Sequence, residues 1–245
     1  MLILANSRRN LGRCIAAKEV VLTGGRCEPG NWIRPVAPLG QSSEGELGPM
    51  HCSTPLGRRV QVLDFARADF EQPDPALKQP ENWRLAQYPK WEIIDAPSAV
   101  CLEQLIDHPK GLWDEPRSRD NSRRISVDAP EVAFGGFSLA LIQPKNFFIQ
   151  IQRVKEPWRS TIRTRSTGFF EYAGNRYACQ ITDDSFEEKY CRMDRNGSIQ
   201  IPSPFGDECL LCMSLGAEFK GHHYKLIAAV ISLLHRDDPQ SNRPL

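Results

Sequence analysis

Short apolar runs, each closed by Gly, Pro, Asn or Asp, recur along the whole of this chain, and regular helices do not separate them. That pattern excludes the strand–helix alternation of a doubly wound sheet or a TIM barrel and points to small β architectures. In the first half, strands are expected at Met1–Ala5, Ile15–Leu22, Trp32–Val36, Arg59–Phe65 and Trp91–Ile94. In the second half they are expected at Phe137–Ile142, Phe147–Val154, Thr161–Arg165, Gly168–Tyr172, Arg176–Thr182, Cys209–Leu215 and Tyr224–Ser232. Each half shows one short helix. Pro97–Ile106 has Ser98 as an N-cap and Val100, Leu102, Leu105 and Ile106 on one face. Asp183–Cys191 opens on an aspartate with further acids in its first turns. The fold class is therefore α+β, mostly β: two tandem small barrels with one short helix each and long loops. The expected division is 1–115 for the first barrel, 116–130 for a Pro- and Asp-rich linker and 131–245 for the second.

A chain of 245 residues, 40% hydrophobic and 25% charged, is long enough to bury two such cores. No apolar run approaches the length of a membrane-spanning helix. The first apolar residues precede the first charges, the reverse of a secretory signal, so a cytoplasmic location is expected. In that setting the eight cysteines are expected as reduced thiols.

The net charge of +1 hides a bias, because 22 of the 31 basic residues are arginine. Arginine suits bidentate contact with phosphate and stacking on bases. Two basic clusters follow. Residues 1–34 carry a local charge of +4 from Arg8, Arg9, Arg13, Lys18, Arg26 and Arg34 against two glutamates. Trp32 and Arg34 are two apart on a strand and share a face, so a ring to stack on a base lies beside a cation to hold phosphate. The plain alternative puts Trp32 in the core and Arg34 on a solvated rim. The second cluster is Arg153, Lys155, Arg159, Arg163 and Arg165 against Glu156 alone, again +4 over residues 152–165, with Tyr172 among the aromatics that follow.

Two further constellations carry less. Cys209 and Cys212 form a CxxC with His222 and His223 downstream, but positions three apart on a strand point to opposite faces, so buried free thiols are expected rather than zinc. Asp183, Asp184, Glu187 and Glu188 could hold a divalent metal for nuclease chemistry, yet capping and the helix dipole already explain acids at a helix start. No phosphate-binding loop, nucleophile elbow or dinucleotide fingerprint is present, and no metal, cofactor or catalytic residue is expected.

The stretches Ala5-Asn-Ser-Arg, Gly12-Arg-Cys-Ile-Ala, Trp32-Ile-Arg-Pro-Val and Glu44-Gly-Glu-Leu resemble the first half of the bacterial dual OB-containing domain family. Phe170-Glu-Tyr-Ala-Gly-Asn-Arg-Tyr, Ile181-Thr-Asp and the run from Ser214 to Ile231 resemble its second half. The resemblance implies two OB-type barrels, nucleic-acid binding and a setting in defence or mobile-element systems, without a known catalytic reaction. The expected function is therefore binding of single-stranded or structured DNA or RNA, as a sensor or an accessory subunit of a larger effector. A nucleotide- or nucleic-acid-processing hydrolase and a protein-interaction adaptor are the alternatives.

Overall fold

The computed structural model describes residues 1–9, 12–23, 26–42, 45–75, 79–94, 102–114, 123–129, 136–155, 162–193 and 196–233. The strands of the first half are β1 Leu2–Arg9, β2 Gly12–Thr23, β3 Arg26–Val36, β4 Phe65–Arg67, β5 Phe70–Pro73, β6 Asn82–Leu85 and β7 Glu92–Ile94. Those of the second are β8 Arg124–Ser126, β9 Leu139–Ile142, β10 Lys145–Lys155, β11 Ile162–Tyr172, β12 Asn175–Ile181, β13 Gly197–Pro202, β14 Cys209–Phe219 and β15 His222–Ser232. They form a seven-stranded sheet in the order β5-β6-β3-β2-β1-β4-β7 and an eight-stranded sheet in the order β13-β10-β11-β12-β15-β14-β9, with β8 on β15.

The two halves pair their strands in a similar way. In the first half β1, β2 and β3 form an antiparallel meander, β6 lies parallel to β3, and β5 pairs with β6. Two residues after β4 the chain enters β5, and β4 pairs with β1. The second half repeats this arrangement. β10, β11 and β12 form the meander, β15 lies parallel to β12, β14 pairs with β15, and β9, two residues before β10, pairs with β14. This mostly β arrangement of two sheets, each built on a three-strand meander, is consistent with the OB resemblance.

The expectation of one helix per half is corrected. Among the described residues the one α-helix is α1, Asp184–Tyr190. Asp183 caps it, its Oδ1 accepting from the Phe186 N–H at 3.1 Å and its Oδ2 from the Val230 N–H at 3.1 Å. The first half has 3₁₀ turns at Pro49–Cys52 and Leu102–Leu105. The rest of the expected 97–106 helix, residues 97–101, lies outside the described residues. Arg59–Phe65 is also not a strand: residues 61–64 turn, with Leu63 at φ 72° and Asp64 accepting from the Gln61 N–H. No helix among the described residues is long and apolar enough to cross a membrane.

Three cores hold the molecule. Ile3, Ile15, Ala17, Val60, Leu85 and Trp91 fill the first barrel. Ile149, Ile151, Phe170, Tyr177, Ile181 and Ile227 are among those that fill the second. Close packing there demands Gly168 on β11, since a Cβ would lie 2.5 Å from Ile227 Cδ1 and 2.8 Å from Phe147 Cε2. The third core joins the two halves: Leu2, Leu4 and Ala16 of β1 and β2 meet Leu139, Leu141, Leu210, Cys212, Ala229 and Ile231 of β9, β14 and β15. A register shift between Ile3 and Ala5 accompanies this split of β1 between two cores.

Candidate nucleic-acid interface

The two meanders have different fates, and that difference decides which sequence-predicted residues are available to a ligand. The outer face of β1–β2–β3 is the seam itself, covered by the second barrel and by the 102–107 segment. Lys18, Trp32 and Arg34 lie on it, so the expectation that they form an open stacking face is corrected.

Lys18 is buried, and its Nζ donates to Asp107 Oδ1 at 2.5 Å and to the Leu105 carbonyl at 2.7 Å. The Lys18 ammonium also sits 5.0 Å from the centre of the Trp32 ring. Trp32 is half-buried against the seam core, and its indole N–H donates to Asp107 Oδ2 at 3.0 Å. Asp107 Oδ2 accepts a further hydrogen bond from the Leu141 N–H at 2.8 Å. One carboxylate thus gathers a lysine, a tryptophan and a backbone amide from both halves.

Arg34 is 0% exposed, and burial lowers its pKa from the ordinary arginine range. Its Nη2 donates to the Ser138 carbonyl at 3.3 Å and to Ser214 Oγ at 3.2 Å, both in the second half. The charges of Glu81 and Arg9 act on it in opposite directions. Glu81 accepts from Ser138 N and Oγ and from the Leu139 N–H, so its carboxylate also ties the halves together.

The other basic residues of the first cluster meet the acidic set at the start of α1. Arg8 Nη1 and Nη2 pair with Asp184 at 2.7 Å and Glu187 at 3.0 Å, and Arg13 Nη1 pairs with Asp184 Oδ2 at 2.7 Å. Arg9 is half-buried. The basic loop and the acids weighed as a metal site therefore neutralise one another. Burial raises the Asp183 and Glu187 carboxyls above their ordinary range.

Cys209 and Cys212 point into different cores, the second barrel and the seam, and so do not converge on one ion. Burial pushes the Cys209 thiol up to about 12 and Cys212 further in the same direction. Six described cysteines are thiols outside any disulfide, but Cys27 is disulfide-bonded, a departure from the expected set of reduced thiols.

The outer face of the second meander is open. β13, β10, β11 and β12 place side by side the register rows Pro202, Phe148, Phe169 and Ala178, then Gln200, Gln150, Thr167 and Gln180, then Ser198, Gln152 and Arg165. At the centre the Phe148 and Phe169 rings stack at 4.9 Å with 4° between their planes. Phe148 is 36% exposed and its neighbour half-buried. Arg165 is exposed, four residues along β11 from Phe169, or about 13 Å. At the other end Arg176, exposed, pairs with Glu171 at 3.1 Å.

The second cluster divides on this face. Arg165 belongs to it. Arg163 holds the next register position, opposite Val154, but the side chains of Arg163 and Lys155 and all of Arg159 lie outside the described residues. Arg153 falls on the opposite face from Gln152, and its Nη1 donates to the Met193 carbonyl. Tyr172 is turned to the connector between the barrels, donating to the Pro109 carbonyl at 3.0 Å, and burial raises its pKa. The stacked phenylalanines and the amide rows were missed as site residues. Their signal lies in the alternation of Phe148, Gln150 and Gln152 with Phe147, Ile149 and Ile151, which gives β10 an outward face of one aromatic ring and two amides.

A model of the dual OB-containing domain family matches residues 1–230. Neither a curated protein nor a solved structure shows significant similarity to the chain.

Proposed function

The chain belongs to the dual OB-containing domain family, and from that premise we propose that it binds single-stranded nucleic acid on the outer face of β10–β11–β12. The observation that carries this reading is the Phe148–Phe169 stack, exposed at the centre of the face. OB barrels bind oligonucleotides across this part of the meander. A base extends a stack that the two rings have already aligned, and every base has a face that fits. The amides of Gln150, Gln152 and Gln180 and the Thr167 hydroxyl offer donors and acceptors to base edges without imposing charge. Arg165 supplies a phosphate contact. In this reading the first barrel is the scaffold and the second the reader, in a sensor or accessory subunit of a defence system.

Fluorescence anisotropy with labelled oligo-dT, oligo-U and a duplex of equal length tests it. Single strands are expected to bind more tightly than the duplex. Phe148→Ala or Phe169→Ala should each weaken binding by about 1–3 kcal/mol. Arg165→Ala should lower the log–log salt slope by roughly one unit. Equal affinity for wild type and both phenylalanine variants overturns the proposal.

A further inference from the structure

The terminal strands of the two sheets are not protected alike. In the first sheet β5 carries Glu71 and Pro73 within four residues, and β7 has three residues including Glu92. Shortness, charge and proline are the devices by which natural edges avoid pairing with foreign chains. β13, which ends the second sheet, has no charged residue in its six, and its proline is the last of them. It pairs with β10 on one flank, from Phe148↔Pro202 to Arg153↔Gly197, and no described strand pairs with the other. Five of its residues are exposed, and Ile199 is 43% exposed, unusual for a residue whose register partner, Ile151, is in the core.

Beside this edge lies a groove of about 710 Å³. Its apolar lining comes from Ile199 and Ile201 of β13, Tyr190 at the end of α1 and Met193 just beyond it, with Asn196 and Ser198 also on the wall. Arg192 lines it as well, held by donation from its Nε to the Glu188 carbonyl at 2.5 Å, and no carboxylate is among the described lining residues. Arg153, donating to the Met193 carbonyl, fixes that wall. The groove is on the Ile199 and Ile201 side of the sheet, opposite Phe148 and Phe169.

We infer that the free edge of β13 takes an extended segment of a partner protein as an added strand, with alternate apolar side chains of that segment in the groove and a carboxylate against Arg192. Backbone pairing supplies the affinity of such strand addition, and the pockets for alternate side chains supply its selectivity. The edge that no described strand pairs with calls for a strand, the apolar side chains of the groove for apolar residues on one face of it, and the Arg192 guanidinium for an acid on that same face. Because the groove faces away from the stacked phenylalanines, the segment and a nucleic-acid strand are accommodated together. The inference stands apart from the proposed nucleic-acid reading.

Two acetylated, amidated peptides probe it in both strand directions, Thr-Val-Thr-Val-Thr-Glu-Thr and Thr-Glu-Thr-Val-Thr-Val-Thr, with lysine in place of glutamate as the control. Each is titrated into the full chain while amide exchange is followed across Gly197–Ile201. At least one glutamate peptide should bind and slow exchange at alternate amides of β13. Ile199→Lys, at an exposed position that leaves the core intact, should weaken it at least tenfold. Arg192→Glu should transfer the preference to the lysine peptide. Oligonucleotide affinity should stay unchanged in both variants, which separates failure here from failure of the nucleic-acid reading. Protection by no peptide, or equal protection in Ile199→Lys, overturns the inference. A concentration-dependent dimer in analytical ultracentrifugation that Ile199→Lys abolishes also overturns it, since the occupant is then a second copy of the chain.

Discussion

Removing the Asp107 carboxylate is the sharpest perturbation of the seam. Asp107→Ala strips Lys18 Nζ, the Trp32 indole N–H and the Leu141 N–H of a shared acceptor. The Lys18 side chain is 5% exposed and keeps the Leu105 carbonyl and the Trp32 ring among its described partners. Breaking one partner out of a buried ion pair costs about 3–5 kcal/mol, because the remaining charge cannot return to water. The orphaned amide of Leu141 adds up to about 1–3 kcal/mol. Asp107 is 28% exposed, so water replaces part of what is lost, including the partner of the Leu141 amide, and the lower half of the ion-pair range alone is expected. For a chain of this size each kcal/mol moves the Tm by about 2–4 °C, which gives a fall of roughly 6–16 °C for about 3–4 kcal/mol. The assay is thermal unfolding of Asp107→Ala, Lys18→Met and the double variant. Since an apolar replacement of a whole buried pair is often neutral, the double variant should melt above Asp107→Ala alone. A Tm for Asp107→Ala within 2 °C of wild type would refute the assignment of Lys18 and Trp32 to the seam and return them to the surface available for nucleic acid.

Gly168→Ala should cost about 1–3 kcal/mol of stability, read from urea unfolding, since the new methyl meets Phe147 and Ile227 inside a packed barrel. Thiol labelling with a chromogenic disulfide should leave Cys191 and Cys209 unmodified in the native chain and release both on denaturation, because burial pushes their thiols up to about 11 and about 12. Asp183, raised above 3.8 by burial, binds more protons native than unfolded as pH climbs through its titration. Its stabilising share is therefore full below that ordinary value and fades above it. The stability of Asp183→Asn relative to wild type should rise with pH over that window, and a pH-independent difference would contradict the burial argument.

Local pattern alone determined a good deal of this protein. Short apolar runs closed by turn residues placed β1, β2, β10 and β15 and two segments of β11, because such runs bury only as strands when no helical period accompanies them. Asp183 was legible as a cap because an N-cap bond spans only three residues. The division of Cys209 and Cys212 between two faces follows from the strand period of two. Short strands such as β5 and β6 give no signal of their own, since their proline and tryptophan carry no period and only the pairing of β6 with β3 and of β5 with β6 makes them strands. What tertiary structure decided is which cations are already spoken for. Arg8 meets Asp184 across 176 residues, and Lys18 meets Asp107 across 89, so no window of sequence could reveal that one basic cluster is neutralised and part of it buried. The two meanders look equally able to present an open face when read as sequence. Docking of the second barrel on the outer face of the first buries Arg34 and leaves Phe148 and Phe169 in the open, because burial depends on which surfaces the whole chain brings together rather than on the residues of any one strand.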